Sequence, residues 1–397
     1  MSSHSRVHYM DNLRAFAMLL GIFFHAALAY SPMLNQIWPT SDPQNSAIVD
    51  VLAFFSHTFR MPLFFIIAGF FAALLLNKQG LGAMIKNRLL RVTLPFVIFL
   101  PLVMISFALI FTWAISAIDS KSPMLGMIAM MSQIPDAPSP PATTTHLWFL
   151  YNLTFFYGLT IIMVKCMRFN WMRYVVKSPK LFLLLGPVLL IPAVTSQHAP
   201  LPAPEQFMPQ LWSFGFYGLF YLFGYGLYKH EQFLDTLKPY TWLMLITAIL
   251  AYAAFHSTLG GEVSMQQVME NASQSPKLSW RQVGIAALQA YTGVNMCLFL
   301  LVTGKTIFSQ QNVAMRAIAN SSYWIYIVHL PVLWVIQFAL LDVQLPLLLE
   351  FLISSLGTLA IGYLSYLVLI KHTPIGWLLN GKKTKEILPS VSAVTTK

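Results

Sequence analysis

Ten apolar stretches, each about long enough to cross a bilayer, are separated in this chain by loops. A crossing helix needs about 20 mainly apolar residues. The stretches run roughly over 12–31, 48–76, 93–117, 146–165, 181–195, 209–228, 240–259, 281–303, 317–341 and 347–371. The fifth is short, and Gly186, Pro187 and Pro192 make it irregular. Only 9% of the 397 residues are charged, 57% are hydrophobic and the mean hydropathy is +0.65. Soluble domains carry about 25% charged residues, so no soluble fold of this length could cover its surface. The expectation is an all-α integral membrane protein of about ten transmembrane helices, organised as one polytopic domain over 1–397. No low-complexity tract and no internal repeat stands out.

The loops alternate in charge. One set carries Lys78, Lys86, Arg88 and Arg91, then Lys165, Arg168, Arg173, Lys177 and Lys180, then Lys229 and Lys238, then Lys305 and Arg316. The tail adds Lys371, Lys382, Lys383, Lys385 and Lys397. The other set carries Asp42, Asp119, Asp136, Glu205, Glu262, Glu270 and Asp342 and few basic residues. Basic loops stay in the cytoplasm, which puts both termini there. The same bias accounts for the net charge of +11 without a nucleic-acid partner. Arg6, Arg14 and the small residues of A-L-A at 27–29 resemble a signal peptide with its cleavage site. The apolar run is long enough to span, and the expectation is a retained helix. Cys166 and Cys297 belong to no C-x-x-C pattern and are expected near the cytoplasmic face, which argues against a disulfide or a cysteine metal site.

Ionisable side chains inside a span are costly and usually face a functional path. The first span carries Arg14 and His25, eleven residues apart. On an α-helix that is about 20° past three turns and about 16 Å of rise, so the two share a face. Arg14 also suits a flank that snorkels to the headgroups, and His25 also suits a packing hydrogen bond. Together they suggest a catalytic base deep in the membrane with a cationic anchor below it. In the second span His57 and Arg60 lie at i and i+3, on one side, as an anion or sugar site near the outer face or as an interhelical clasp. Pro62 and Gly69 allow a kink and close packing there. Lys86, Arg88 and Arg91 stand where a helix enters the membrane. The guanidinium fork matches phosphate oxygens, although simple topological flanking gives the same pattern.

His146, Trp148, Tyr151 and Asn152 open the fourth span at the outer face, as interfacial belt residues or a sugar platform. Ser322, Tyr326 and His329 share a face of the ninth span, and Arg281, Gln289 and Asn295 add polarity to the eighth. Apart from Asp50 and Glu350 near outer ends, the spans hold no carboxylate. Ion-coupled transporters commonly use one. The histidines show no metal spacing, and no metal is predicted.

These residues together resemble the membrane acyltransferase 3 family. The chain carries D-N-L-R at 11–14, Arg14-x10-His25, F-F-I-I-A-G at 64–69, R-L-L-R at 88–91, H-L-W-F-L at 146–150 and Y-W-I-Y-I-V-H at 323–329, in the family's order over nearly the whole chain. S-H-T-F-R-M, Y-I-V-H-L-P and the closing P-I-G-W-L-L-N-G-K-K are similar to a branch that modifies osmoregulated periplasmic glucans. The resemblance implies a multi-pass protein of the bacterial inner membrane. It implies transfer of an acetyl or succinyl group from cytoplasmic acyl-CoA to a hydroxyl of a glycan or glycolipid. His25 and Arg14 would be catalytic. Arg14, Arg88 and Arg91 would hold the donor's phosphates, and His57, Arg60, His146, Trp148, Tyr326 and His329 would receive the acceptor. A transporter or flippase of an anionic glycan or lipid-linked sugar would use a similar basic cavity. Assembly as a homo-oligomer is left open.

Overall fold

The computed structural model describes residues 8–135, 142–166, 172–308 and 313–380. Arg6, Asp136, Arg168 and the lysines at 382, 383, 385 and 397 lie outside the described residues. Helix follows helix: α1 (His8–Ala27), α2 (Ala47–Arg88), α3 (Leu94–Ala117), the short α4 (Pro123–Met131) and α5 (Trp148–Cys166). Then come α6 (Met172–Lys177), α7 (Pro179–Leu185), α8 (Ile191–Thr195), α9 (Leu211–Leu227), α10 (Phe233–Leu237) and α11 (Thr241–His256). The chain closes with α12 (Met265–Ser273), α13 (Trp280–Ile307), α14 (Val313–Leu340), α15 (Leu347–Ser365) and α16 (Pro374–Asn380).

Seven helices among the described residues are long and apolar enough to cross a membrane. One of them, Ala47–Ala117, is 71 residues long and contains two of the expected spans. At 1.5 Å per residue it would be far longer than a bilayer is thick. It bends instead. Gly80 has φ 80° and ψ 173°, a left-handed conformation open to glycine, and breaks α2. A π-helical stretch, Leu89–Thr93, then leads into α3. Pro62 leaves the helix continuous around it, because the non-helical residue inside α2 is Gly80. The expected fifth span is α7, a 3-10 turn at Pro187–Leu190 and α8, so Gly186, Pro187 and Pro192 do interrupt it. α9 has 17 residues. Cys297 lies within α13 beside the Phe59 carbonyl of α2, rather than at a helix end.

The core is a bundle in which α2 packs along α9, and α1 packs on α2 and α14. Lipid offers no hydrophobic drive for helix association, so close backbone approach through small residues matters more. The α2–α9 seam is an extreme case. A Cβ on Gly69 would stand 2.0 Å from the Tyr221 carbonyl oxygen, and one on Gly224 1.9 Å from the Ile66 carbonyl oxygen.

A loop at 31–46 folds over one end of the bundle. Asp50 fixes it by accepting from the Ser31 hydroxyl and, at 3.2 Å, from the Met33 N–H. Thr40 donates to Gln337 at 2.7 Å, and Gln337 in turn donates to the Ala26 carbonyl at 3.0 Å. These bonds explain the polarity at Asp50 and Gln337 as anchoring.

A membrane cavity joining arginines to histidines

The helices enclose a cavity of about 1390 Å³. Ordinary small-molecule pockets measure about 300–1,000 Å³, so this space is large enough for two substrates. One end is lined by Asp11, Arg14, Gln79, Asn87, Arg88, Arg91 and Asn380. His25, in the last turn of α1, lines the cavity with His57, Arg60, Trp38, His146, Trp148, Glu205, Tyr326 and His329.

Arg14 and His25 both reach the cavity, as their eleven-residue spacing requires. Arg14 pairs with Asp11 at 3.3 Å and donates to the Ala319 carbonyl at 3.4 Å. Arg88 donates to the Phe71 carbonyl at 3.1 Å, with its guanidinium carbon 5.5 Å from the Tyr157 ring centre. Arg88, the last residue of α2, and Arg91, within the π-helical stretch, both line the cavity, and the Tyr323 hydroxyl donates to the Arg91 carbonyl at 2.7 Å. Lys86 is exposed and does not line the cavity.

Four histidines, His25, His57, His146 and His329, line the cavity. The His25 ring lies 5.2 Å from His329, and His329 lies 5.1 Å from His146. His329 uses Nδ1 on the Tyr326 carbonyl at 2.7 Å, His146 uses Nε2 on the Ile327 carbonyl at 3.0 Å, and His57 uses Nε2 on the Leu201 carbonyl at 2.9 Å. A carbonyl only accepts, so each of these nitrogens carries the proton and the other nitrogen keeps a lone pair. His25 differs. Its Nδ1 has no hydrogen-bond partner among the described residues. It is held by rings instead: Phe24 at 5.1 Å and Trp38 at 6.1 Å.

Other sequence candidates fall outside the cavity lining. The Tyr151 hydroxyl donates to the Phe207 carbonyl. Asn152 accepts from Ser213 at 2.9 Å, joining α5 to α9. Gln289 accepts from the Leu201 N–H at 3.2 Å. Asn295 donates to the Tyr291 carbonyl at 2.9 Å, and Arg281 is exposed. These five are packing or surface groups. Ser322 does line the cavity, with its hydroxyl bonded to the Ala319 carbonyl at 2.8 Å. Among the described residues no group of three His, Cys, Asp or Glu side chains is placed to hold a metal ion.

Trp38 and Glu205 are among the cavity residues that the sequence reading did not single out. Trp38 comes from the covering loop. Glu205 comes from the loop before α9, where its carbonyl accepts from the Thr144 N–H at 2.7 Å. Its side chain faces the cavity within electrostatic reach of Tyr326. Burial raises the Glu205 carboxyl from 4.5 to about 7. The folded protein therefore keeps this proton where the unfolded chain has lost it, so stability falls as pH rises from about 4.5 to about 7. Glu205→Gln removes that loss. In thermal unfolding it is expected to stabilise the protein near pH 8 and to make no difference below about pH 4.5. An equal effect at both pH values would show that the carboxyl is not held protonated.

The cavity thus combines arginines with a cluster of histidines, and the carboxyl residues that line it among the described residues are Asp11 and Glu205. A family model described as an acyltransferase domain (acyltransferase 3) matches residues 7–367, and the chain belongs to this family. It is a multi-pass membrane protein of that class. The chain is 24% identical over 336 residues to glucans biosynthesis protein C of Escherichia coli O81 strain ED1a, covering 82% of each chain. It is 29% identical over 165 residues to the protein of the same name from Escherichia coli K12 strain DH10B, covering 42% of this chain and 40% of that one. No solved structure matches the chain.

Proposed function

We propose that this protein is a transmembrane O-acyltransferase of the bacterial inner membrane, with ten spans and both termini in the cytoplasm. It moves an acetyl or succinyl group from cytoplasmic acyl-CoA to a hydroxyl of a cell-envelope glycan, a periplasmic glucan in the first instance. The single observation that carries this reading is the continuity of the cavity from Arg14, Arg88 and Arg91 to His25 and the outer aromatics. The glycan assignment rests on the likeness to glucans biosynthesis protein C.

Arg14, Arg88 and Arg91 hold the CoA phosphates at the cytoplasmic end by charge-assisted hydrogen bonds. The pantetheine arm is long and nearly neutral, so it follows the apolar walls to His25. The acceptor enters past Trp148, Tyr326 and His146. His25 takes the proton of the acceptor hydroxyl as the oxygen attacks the thioester carbon. The C–O bond forms and the carbonyl electrons move to oxygen. When the carbonyl re-forms, the C–S bond breaks, and the thiolate takes the proton from His25 and leaves as CoA. Arg14, about 16 Å away along the helix, anchors the donor and does not touch the reacting atoms. His57 and His329 present lone-pair nitrogens that accept from other acceptor hydroxyls.

The test is donor binding. With purified full-length protein and acetyl-CoA and succinyl-CoA as probes, the Arg88→Ala, Arg91→Ala double variant is expected to bind both at least tenfold more weakly. Charge-assisted hydrogen bonds contribute about 1.5–3 kcal/mol each, and tenfold is about 1.4 kcal/mol. Unchanged affinity in a folded double variant would make the pair topological signals. His25-dependent release of CoA separates this reading from a flippase, which needs the basic cavity but cleaves no thioester.

A further inference from the structure

Arg60 lines the cavity, and its charged end meets neither a carbonyl nor a carboxylate among the described residues. It is only 4% exposed, and its Nη1 is buried with no hydrogen-bond partner. Its guanidinium carbon lies 4.2 Å from the centre of the Phe24 ring. Phe24 is the neighbour of His25, and the two rings are 5.1 Å apart. The guanidinium and the imidazole are thus no further apart than those two distances end to end. A Cβ on Gly21 would stand 3.9 Å from Nη1, and Gly21 precedes His25 by one helical turn. The bare glycine face leaves room for the guanidinium there. On α1, which runs outward from its N-terminus, that level is on the donor side of His25.

The two carboxyl residues that line the cavity do not answer this charge. Asp11 is paired with Arg14 at one end, and Glu205 belongs to the loop at the other. A buried guanidinium that lines a cavity and lacks a counter-ion is arranged for a negative charge that arises there. Acyl transfer creates one on the carbonyl oxygen as the tetrahedral intermediate forms. Fixed donors aimed at that oxygen act strongly in a water-poor site and need no reorganisation.

We infer that Arg60 stabilises the oxyanion of the tetrahedral intermediate, across the reacting carbon from His25. The inference rests on the acyl-transfer reading. Base to hydroxyl and donor to oxyanion each take about 3 Å, which fits the gap that Phe24 spans. In the step itself, attack by the hydroxyl oxygen forms the C–O bond and sends the carbonyl π electrons to oxygen, facing Arg60. Collapse returns them and expels the thiolate. Arg60 exchanges no proton.

The experiment measures kcat and both KM values for CoA thiol release by full-length protein, with acetyl-CoA or succinyl-CoA as donor and linear β-glucan oligosaccharides as acceptor. Arg60→Gln is expected to lower kcat about 10²–10³-fold, the usual effect of losing one oxyanion donor, with both KM values within about threefold. Arg60→Lys keeps the charge without the fork and is expected to recover part of kcat. It also keeps the test decisive should the glutamine variant not fold. A raised acceptor KM with kcat intact would instead make Arg60 an acceptor contact. Wild-type kinetics in either folded variant would make it a packing cation on Phe24. Both results overturn the inference. Failure of the wild-type protein to release CoA from either donor would strike the acyl-transfer reading itself, which separates the two.

Discussion

Replacing His25 by glutamine should leave an inserted, folded protein that transfers acyl groups about 10²–10⁴-fold more slowly, the usual loss when a general base is removed. Glutamine fills the space between Phe24, Trp38 and His329 and keeps hydrogen bonding, but it cannot take the acceptor's proton. Insertion should not suffer, because a span that loses a titratable group enters lipid at least as readily. Alanine should be equally inactive. CoA release and transfer to glycan, measured side by side on the purified protein, read the effect. Near-full transfer by the glutamine variant would make His25 a packing residue. The base would then be sought at His329, whose Nδ1 proton is held on the Tyr326 carbonyl at 2.7 Å and whose other nitrogen keeps its lone pair.

The second large effect is expected at a position with no chemistry. Gly224→Ala puts a methyl group where the Ile66 carbonyl oxygen stands, 1.9 Å away. Neither backbone can turn aside as a flexible side chain could, so α2 and α9 must part. Overpacking costs about 1–3 kcal/mol in well-packed cores. At about 2–4 °C per kcal/mol, the upper end lowers the melting temperature by roughly 6–12 °C. Activity should fall as well, because α2 carries His57 and Arg60 to the cavity. Gly69→Ala meets the Tyr221 carbonyl and should behave alike. Gly158→Ala is the control, since nothing lies within 4 Å of a Cβ there. A Gly224→Ala protein that melts with the wild type would show that the seam opens freely.

The sequence made some of this readable and hid the rest for a physical reason. Helical periodicity fixes which residues share a face. It therefore brought Arg14 together with His25, and Ser322 with Tyr326 and His329, all of which do line the cavity. Periodicity says nothing about which helix lies opposite. The approach of His146 to His329 joins residues 183 positions apart in sequence, and only the packed bundle displays it. Loops have no period at all, so Trp38 and Glu205 gave no sign that they turn inward. The same gap explains Tyr151 and Asn152. An aromatic and an amide at an outer helix end look alike whether they face a cavity or a neighbouring helix. Arg60 was readable as a buried cation, but its level relative to His25 depends on how α1 and α2 cross.

The tethered imidazoles bear on the cell's energy supply. An enzyme with polar groups along such a cavity risks becoming a leak, since imidazole chains pass protons readily when each ring can accept on one nitrogen and release from the other. In His57, His146 and His329 the releasing nitrogen is committed to a carbonyl. A proton arriving at the free nitrogen has no onward exit without breaking that bond. The row of rings is thus a broken wire. On the proposed function, acyl groups would cross here without short-circuiting a proton gradient across the membrane.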